Sequence, residues 1–242
     1  MDKLKLLAQL AQDKPLFHHL DEEGVRRAAL VGATLPLGDV SMAVPPSVLR
    51  WIADHLTEDM VTIETGAGHT TVLFAAAAKH HFCYTVSQLE ADRIRAYLER
   101  VGVSNEKLTV VLGSTDDTLP RLQAETIVDF AYIDGCHGYP YPALDWLYID
   151  KHLRLGGILG MDNAELRPVR EHCEFLEENG AYRRIARLSD GYFVRCYEKV
   201  MMAPDREWVD QPYSRAKRDP CDQRLLTRVR RKATTWIKPF LY

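Results

Sequence analysis

The first residues with a chemical pattern are an acid and two glycines that follow a short β-branched run. Val61-Thr62-Ile63 is followed by Glu64-Thr65-Gly66-Ala67-Gly68 and then by a helical pattern. Glycines let the backbone turn sharply against a ligand, and the free N–H groups of the next helix attract a carboxylate. Glu64 would repel a pyrophosphate but can pair with a cationic amino group. The alternative to a ligand loop is a tight structural turn in which Thr70 caps the helix.

Three oxygen-bearing side chains and a histidine form the second chemical pattern. Asp134 closes a predicted strand, His137 follows three residues later, and Asp162-Asn163 closes the next predicted strand. If these strands are neighbours, about 4.8 Å apart, the oxygens converge and can hold a hard divalent cation such as Mg²⁺. Such a cation lowers the pKa of an acceptor hydroxyl, and a histidine beside it is suited to take the proton. The alternative is structural, with an Asp-Gly turn at Asp134 and a helix cap at Asp162-Asn163.

Strand and helix patterns alternate along the chain from Met60 onward. Strands separated by helices of about ten residues predict right-handed crossovers and a parallel sheet that is covered on both faces. Two segments that flank Ser189-Asp190-Gly191 predict an antiparallel hairpin at one side of the sheet. The expected fold is α/β and doubly wound, with a mostly parallel sheet and a helical N-terminal extension. The predicted strands are Val61–Ile63, Phe82–Val86, Leu108–Leu112, Val128–Ile133 and Gly157–Met161, the helices Thr70–Lys79, Glu90–Arg100, Ala143–Leu153 and Glu165–Glu178, and the hairpin Tyr182–Ala186 with Tyr192–Tyr197.

Four short motifs follow the strands in an order that is typical of one protein family. The chain has Glu64-x-Gly66-x-Gly68-x-Thr70 after the first strand and Gly113-Ser114 after the third. It has Asp134-Gly135-x-His137 after the fourth strand and Leu153-x-Leu155-Gly156-Gly157 before the fifth. This set resembles class I S-adenosylmethionine-dependent methyltransferases, and the Asp-Gly-x-His segment resembles an O-methyltransferase-like branch of them. The resemblance covers residues 41–197 and implies a Rossmann-like fold with S-adenosylmethionine above the carboxyl ends of the strands.

The resemblance implies a role for each residue of these motifs. Asp134 and His137 would act in catalysis, and Asp134, Asp162 and Asn163 would bind Mg²⁺, as in catechol-type O-methyltransferases. The chain departs from the family at Ser87-Gln88, where an acid usually holds both ribose hydroxyls; Gln88 can donate and accept hydrogen bonds instead. The implied cofactor-binding residues are Glu64, Gly66, Gly68, His69, Thr70, Ser87, Gln88, Ser114 and Asp134.

The predicted function is methylation of an oxygen on a small molecule, a sugar or a secondary metabolite, with Tyr139 and Tyr141 beside the acceptor. Two alternatives are the same transfer without metal, with His137 acting alone, and a non-catalytic S-adenosylmethionine-binding module. A nicotinamide enzyme is disfavoured because Thr71 replaces the third glycine of its loop. A nucleic-acid methyltransferase is disfavoured because Asp134-Gly135-Cys136-His137 stands where those enzymes commonly place Asn-Pro-Pro-Tyr or Asp-Pro-Pro-Tyr.

Composition and charge divide the chain into three segments. Its 242 residues include five scattered cysteines, which indicate free thiols rather than a disulfide framework. We expect a helical extension over residues 1–57 with a lid at Ser41–Val44, a core over 58–200, and a basic tail over 201–242. No apolar run approaches the roughly 20 residues that cross a bilayer. Residues 1–12 have neither an unbroken apolar stretch nor a plausible signal-peptidase site, so a cytoplasmic protein is expected.

The tail raises a separate question about partners. From Tyr213 to Tyr242 there are nine Lys or Arg against two Asp, interleaved with apolar residues, whereas the whole chain has a formal net charge of −3. This pattern predicts a basic amphipathic helix that docks on its own domain or on a second subunit of a homodimer. The alternative is a helix that contacts an anionic membrane surface or an acidic partner. The negative net charge disfavours a nucleic-acid partner.

Overall fold

A seven-stranded sheet with helices on both faces forms the core of the chain. The computed structural model describes residues 3–12, 44–189, 193–202 and 211–216. The strands are β1 (Val61–Thr65), β2 (His80–Thr85), β3 (Leu108–Leu112), β4 (Val128–Ile133), β5 (Leu153–Met161), β6 (Tyr182–Ser189) and β7 (Phe193–Lys199). The described helices are α1 (Lys3–Gln12), α2 (Pro46–His55), α3 (His69–Ala77), α4 (Gln88–Arg100), α5 (Thr115–Thr118), α6 (Tyr141–Asp150), α7 (Arg167–Asn179) and α8 (Pro212–Ala216). Two short 3₁₀ turns lie at Asn105–Lys107 and Leu119–Arg121.

The order of the strands creates a crevice at one edge of the sheet. The order is β3-β2-β1-β4-β5-β7-β6, so β1 pairs in parallel with β2 on one side and with β4 on the other. The chain therefore winds outward from β1 to β3 and returns to β4, and a ligand crevice opens where a parallel sheet reverses in this way. β7 is antiparallel to β5 and to β6. The predicted Rossmann-like doubly wound fold with a terminal antiparallel hairpin is confirmed.

Two hydrophobic layers hold the sheet between its helices. On one face, α1, α2, α3 and α4 pack against strand residues that include Phe130 and Tyr132. On the other face, α6 and α7 pack against residues that include Ile63. Leu6 and Leu10 of α1 are fully buried in the first layer, and each such side chain contributes about 1.5–3 kcal/mol relative to exposure. The N-terminal helix is therefore part of the core.

β5 begins earlier than the sequence pattern predicts. The helix expected to end at Leu153 ends at Asp150, and the motif from Leu153 to Gly157 lies inside β5 rather than before it. The pairing of β5 with β4 is irregular in this region, and Gly156 has a φ of 73°. A glycine with positive φ at a break in register is typical of a β-bulge. Because glycines are also typical of loops, the sequence of this part of β5 resembles a loop.

Several predictions concern segments that the structure does not describe. Residues 41–43 of the expected lid, the hairpin turn at 190–192 and the tail from residue 217 lie outside the described ranges. The lid, the membrane or acidic partner and the homodimer therefore stay predictions. Among the described helices, none has the length and apolar character that a membrane span requires. The four cysteines in the described part, Cys83, Cys136, Cys173 and Cys196, are free thiols, as predicted for them.

Candidate functional site

The glycine loop turns at Gly66 against the backbone that follows β4. Gly66 has a φ of 86°, its N–H donates to the Tyr84 carbonyl at 2.8 Å, and the Asp134 N–H donates to the Thr65 carbonyl at 3.0 Å. A Cβ atom at Gly66 would lie 2.2 Å from the carbonyl oxygen of Asp134. Both the backbone angle and the close approach require glycine at this position. The turn brings two predicted site segments, the glycine loop and the segment after β4, into contact.

The helix after this loop begins with a glycine at its N-cap position. Gly68 is the N-cap residue of α3, and its N–H donates to Thr71 Oγ1 at 2.8 Å. Thr70 lies inside the helix and is 3% exposed, so the alternative in which Thr70 caps the helix is wrong. The first turn of α3 therefore directly follows the glycine loop.

Glu64 is a buried carboxylate with one oxygen in use. The side chain is 1% exposed, and its Oε1 lies 3.1 Å from His81 Nε2. His81 in turn contacts Thr62 Oγ1 through Nδ1 at 2.8 Å. Oε2 of Glu64 is buried and has no hydrogen-bond partner among the described residues. A buried carboxylate oxygen without a partner is costly, so this atom is suited to pair with a cationic ligand group.

A cleft of about 510 Å³ opens above the carboxyl ends of the strands, and this volume suits one small ligand or two that touch. Five predicted site residues line it: Gly66, Ser114, Asp134, His137 and Asn163. Tyr141 also lines the cleft, as predicted for an acceptor contact, whereas Tyr139 lines a separate surface groove and is 82% exposed.

Other predicted cofactor residues point elsewhere. His69 lines a small separate cavity with residues of α1 and α2. Ser87 is the N-cap of α4, because its Oγ accepts from the Glu90 N–H at 3.2 Å. Gln88 is exposed and its Nε2 donates to Asp92 Oδ1 at 2.7 Å, away from the cleft. Roles of these side chains at the donor therefore have no support from the geometry and stay predictions.

Glu90 lines the cleft near the end of β2. The sequence has no acid at the strand end itself, where the family motif places one. Thr85 Oγ1, at the end of that strand, donates to Glu90 Oε2 at 3.1 Å, and burial raises the pKa of Glu90. The residue belongs to α4 rather than to the strand, so a family motif at the strand end does not include it. The signal was Ser87-x-x-Glu90, the spacing of a capping box, in which the glutamate folds back toward the start of its helix.

Two carboxylates and a histidine converge at the ends of β4 and β5, as their strand pairing predicted. One ligand atom from each of Asp134, His137 and Asp162 lies within 4.8 Å of the others. Burial raises the pKa of Asp134 well above its ordinary value, and the neighbouring charge of Asp162 raises it further. Tyr132 donates its hydroxyl proton to Asp162 Oδ1 at 3.0 Å. Two adjacent carboxylates favour a shared proton or a bound cation, so the donor set fits a divalent ion.

His137 and Asn163 complete this cluster at the cleft. Burial lowers the pKa of His137, so its imidazole is neutral at neutral pH, and Nε2 has no hydrogen bond to any part of the chain that the structure describes. Asn163 has a φ of 50°, which asparagine tolerates better than most residues. The helix that follows, α7, has Leu166 as its N-cap without a side-chain cap bond. The structural alternative, in which Asp162 and Asn163 cap that helix, is therefore wrong.

Known proteins resemble this chain in one domain family and in the fold of several solved structures. Residues 63–164 match the model of a methyltransferase domain family. No curated protein sequence matches the chain. Cofactor-bound Rv0187 from MTB is 20% identical, with a TM-score of 0.59 over 75% of this chain and 91% of that one.

Two further solved structures differ in the substrates that their names indicate. The O-methyltransferase TomG from Streptomyces achromogenes, in complex with SAM, is 16% identical, with a TM-score of 0.57 over 83% of this chain and 99% of that one. An rRNA methylase from Streptococcus thermophilus is 16% identical, with a TM-score of 0.53 over 67% of this chain and 100% of that one. At these identities the likeness concerns the fold and does not select an acceptor. The chain thus has a Rossmann-like methyltransferase fold, within which residues 63–164 match a methyltransferase domain.

Proposed function

We propose that the chain transfers a methyl group from S-adenosylmethionine to an oxygen of a small molecule, a sugar or a secondary metabolite. The observation that carries this proposal is the contact between Gly66 and the Asp134 carbonyl. It places the glycine loop and the cluster of Asp134, His137 and Asp162 on one rim of the same cleft. A donor seated on the loop is therefore beside the groups that would prepare an acceptor.

The donor side of the cleft fits a zwitterionic nucleoside ligand. We assign Glu64 Oε2, a buried oxygen without a hydrogen-bond partner among the described residues, to the amino group, and the start of α3 to the carboxylate. Glu90 is the acid for the ribose hydroxyls, in place of the Gln88 contact that the sequence suggested. Ser114, after β3, lines the cleft, and we assign it to the adenine side. The donor is consumed in each turnover, so these groups bind a substrate.

The acceptor side has a candidate base in His137, whose Nε2 lies 3.6 Å from Asp134 Oδ1 and makes no hydrogen bond to the described residues. Transfer breaks the S–CH₃ bond, forms an O–CH₃ bond and releases the hydroxyl proton, which His137 Nε2 takes. Because burial keeps this imidazole neutral at neutral pH, one of its ring nitrogens has a lone pair available, and we assign that lone pair to Nε2. The same atom then passes the proton to water, which restores the starting state.

Asp134, Asp162 and Asn163 are the residues that would hold a divalent cation such as Mg²⁺. When bound, such an ion supplies Lewis acidity, which lowers the pKa of an acceptor hydroxyl. The chain's own contribution is to orient the carboxylates, and the Tyr132 hydroxyl does so for Asp162. The alternative is transfer without metal, with His137 acting alone. His137 Nε2 has no hydrogen-bond partner among the described residues, and this favours the alternative because the nitrogen can contact the acceptor hydroxyl directly.

Calorimetry and an acceptor screen test this function. We expect the full chain to bind S-adenosylmethionine and S-adenosylhomocysteine, and to release S-adenosylhomocysteine with one class of hydroxylated acceptor. Absence of affinity for both ligands would overturn the proposal. Binding without turnover on any acceptor would favour a non-catalytic module. Full activity after exhaustive chelation, unchanged by added Mg²⁺, would favour the transfer without metal.

Replacing Glu90 is expected to weaken donor binding. Glu90→Ala removes a charged hydrogen-bond acceptor that is worth about 1.5–3 kcal/mol, so S-adenosylhomocysteine should bind about 10- to 100-fold more weakly in calorimetry. Since burial raises the pKa of Glu90, wild-type affinity should begin to fall at a higher pH than an ordinary glutamate would cause. Glu90→Gln should bind more weakly at neutral pH and show a flatter profile.

The comparison variant is Gln88→Ala, at the position that the sequence favoured. A larger loss for Gln88→Ala than for Glu90→Ala would return the ribose contact to the end of β2 and contradict the assignment of Glu90.

A further inference from the structure

Glu165 ties the end of β5 to the start of β7 beside the cleft. Its Oε1 accepts from Asn163 Nδ2 at 3.0 Å, and its Oε2 accepts from the Phe193 N–H at 3.1 Å. The Ala164 N–H donates to the Phe193 carbonyl at 2.6 Å, and the Leu166 N–H donates to the Asn163 carbonyl at 2.9 Å. Both carboxylate oxygens are therefore engaged, and the turn at residues 163–166 is fastened to the hairpin.

The contact with Glu165 determines which end of the Asn163 amide faces Glu165. An ionised carboxylate only accepts hydrogen bonds, so the amide must present its NH₂ group, Nδ2, to Glu165. The Oδ1 atom is then directed away from Glu165. Asn163 lines the cleft together with Asp134 and His137. The end of the amide that Glu165 does not hold is therefore an oxygen rather than an NH₂ group.

We propose that Glu165 is a positioning residue, which holds the Asn163 amide oxygen toward the Asp134 and Asp162 carboxylates so that the three residues form an oxygen site for a divalent cation. The inference rests on the proposed function, which assigns Asn163 to that site. Mg²⁺ and Mn²⁺ bind carboxylate and carbonyl oxygens, whereas an amide NH₂ group offers only protons. Without Glu165 the amide can rotate and present either end.

Manganese titration of the full chain, followed by electron paramagnetic resonance with S-adenosylhomocysteine present, tests the proposal without turnover. Glu165→Ala should weaken Mn²⁺ binding about 10- to 100-fold, the usual effect of losing a group that orients a ligand. Asn163→Ala should weaken it to a similar degree. The double variant should bind no more weakly than Asn163→Ala, because Glu165 acts through that residue.

Matched variants separate positioning from folding and from charge. Glu171→Ala removes another glutamate close by, one that pairs with Arg167 on the surface of α7, and should leave Mn²⁺ affinity within twofold. Glu165→Gln keeps an acceptor for Asn163 and should lose less affinity than Glu165→Ala. It also serves as the test if the alanine variant fails to fold, as judged by circular dichroism.

The outcomes distinguish this inference from the proposed function. If wild-type protein binds no Mn²⁺, the cation part of the proposed function fails, and the inference fails with it. If wild type binds Mn²⁺ but Glu165→Ala binds equally well, or if the losses in the double variant are additive, only the role of Glu165 is overturned.

Discussion

Gly66→Ala should abolish measurable donor binding while leaving a folded protein. The new Cβ would lie 2.2 Å from the Asp134 carbonyl oxygen, and neither partner is a flexible side chain, so the loop must move away from β4. The φ of 86° adds about 1–2 kcal/mol of strain for any residue other than glycine. Because the loop carries the donor and touches the cluster, we expect at least about 100-fold weaker S-adenosylhomocysteine binding in calorimetry.

The matched control is Gly102→Ala. Gly102 has a φ of 74°, but nothing lies within 4 Å of its added Cβ atom. This variant therefore has the backbone strain without the collision, and it should lose about 1–2 kcal/mol of stability with donor affinity unchanged. Equal donor affinity for Gly66→Ala and wild type would show that the ligand does not rest on this loop.

His137→Ala should reduce kcat about 100- to 10,000-fold, the range that loss of a general base produces. Affinity for S-adenosylhomocysteine should stay within about twofold of wild type, because His137 is assigned to the acceptor and makes no proposed contact with the donor. Addition of imidazole should restore part of the activity, since a free base can occupy the vacated space. The measurements are kcat with a saturating acceptor, calorimetry, and the dependence of the rate on imidazole concentration.

His152→Gln is the control for loss of a histidine elsewhere in the fold. His152 contacts the Thr126 carbonyl at 3.0 Å, far along the chain from the cleft loops, and its loss should leave kcat unchanged. A fall in kcat for His137→Ala that imidazole does not restore, together with weaker donor binding, would indicate a structural role. Unchanged kcat would exclude His137 as the base.

Much of the site could be predicted because its backbone signals are local. β-Branched strands, intervening helices and a glycine turn predict a doubly wound sheet, and the carboxyl ends of its strands necessarily share one edge. Asp134 and Asp162 follow two of those strands, and the pairing of Ile133 with Met161 brings them together. The early start of β5 could not be read, because the bulge at Gly156 has the composition of a loop.

Side-chain direction was harder to predict than position along the chain. Gln88 and Glu90 are two residues apart on the same helix, yet Gln88 turns to Asp92 while Glu90 turns to Thr85 and the cleft. Rotation of about 100° per residue separates their directions, and the packing of α4 on the sheet decides which one faces the ligand. Periodicity alone does not contain that orientation.

The amino-acid sequence by itself determined the alternation of elements, the glycine turn and the residue types available at the edge of the sheet. Only the tertiary structure decided which of those side chains meet. Glu165 contacts Phe193 across 28 residues of chain, and through its acceptor-only oxygens it sets the direction of the Asn163 amide. The physical reason is that local propensities act through neighbouring residues, whereas ligand geometry depends on contacts that exist only after distant strands have paired.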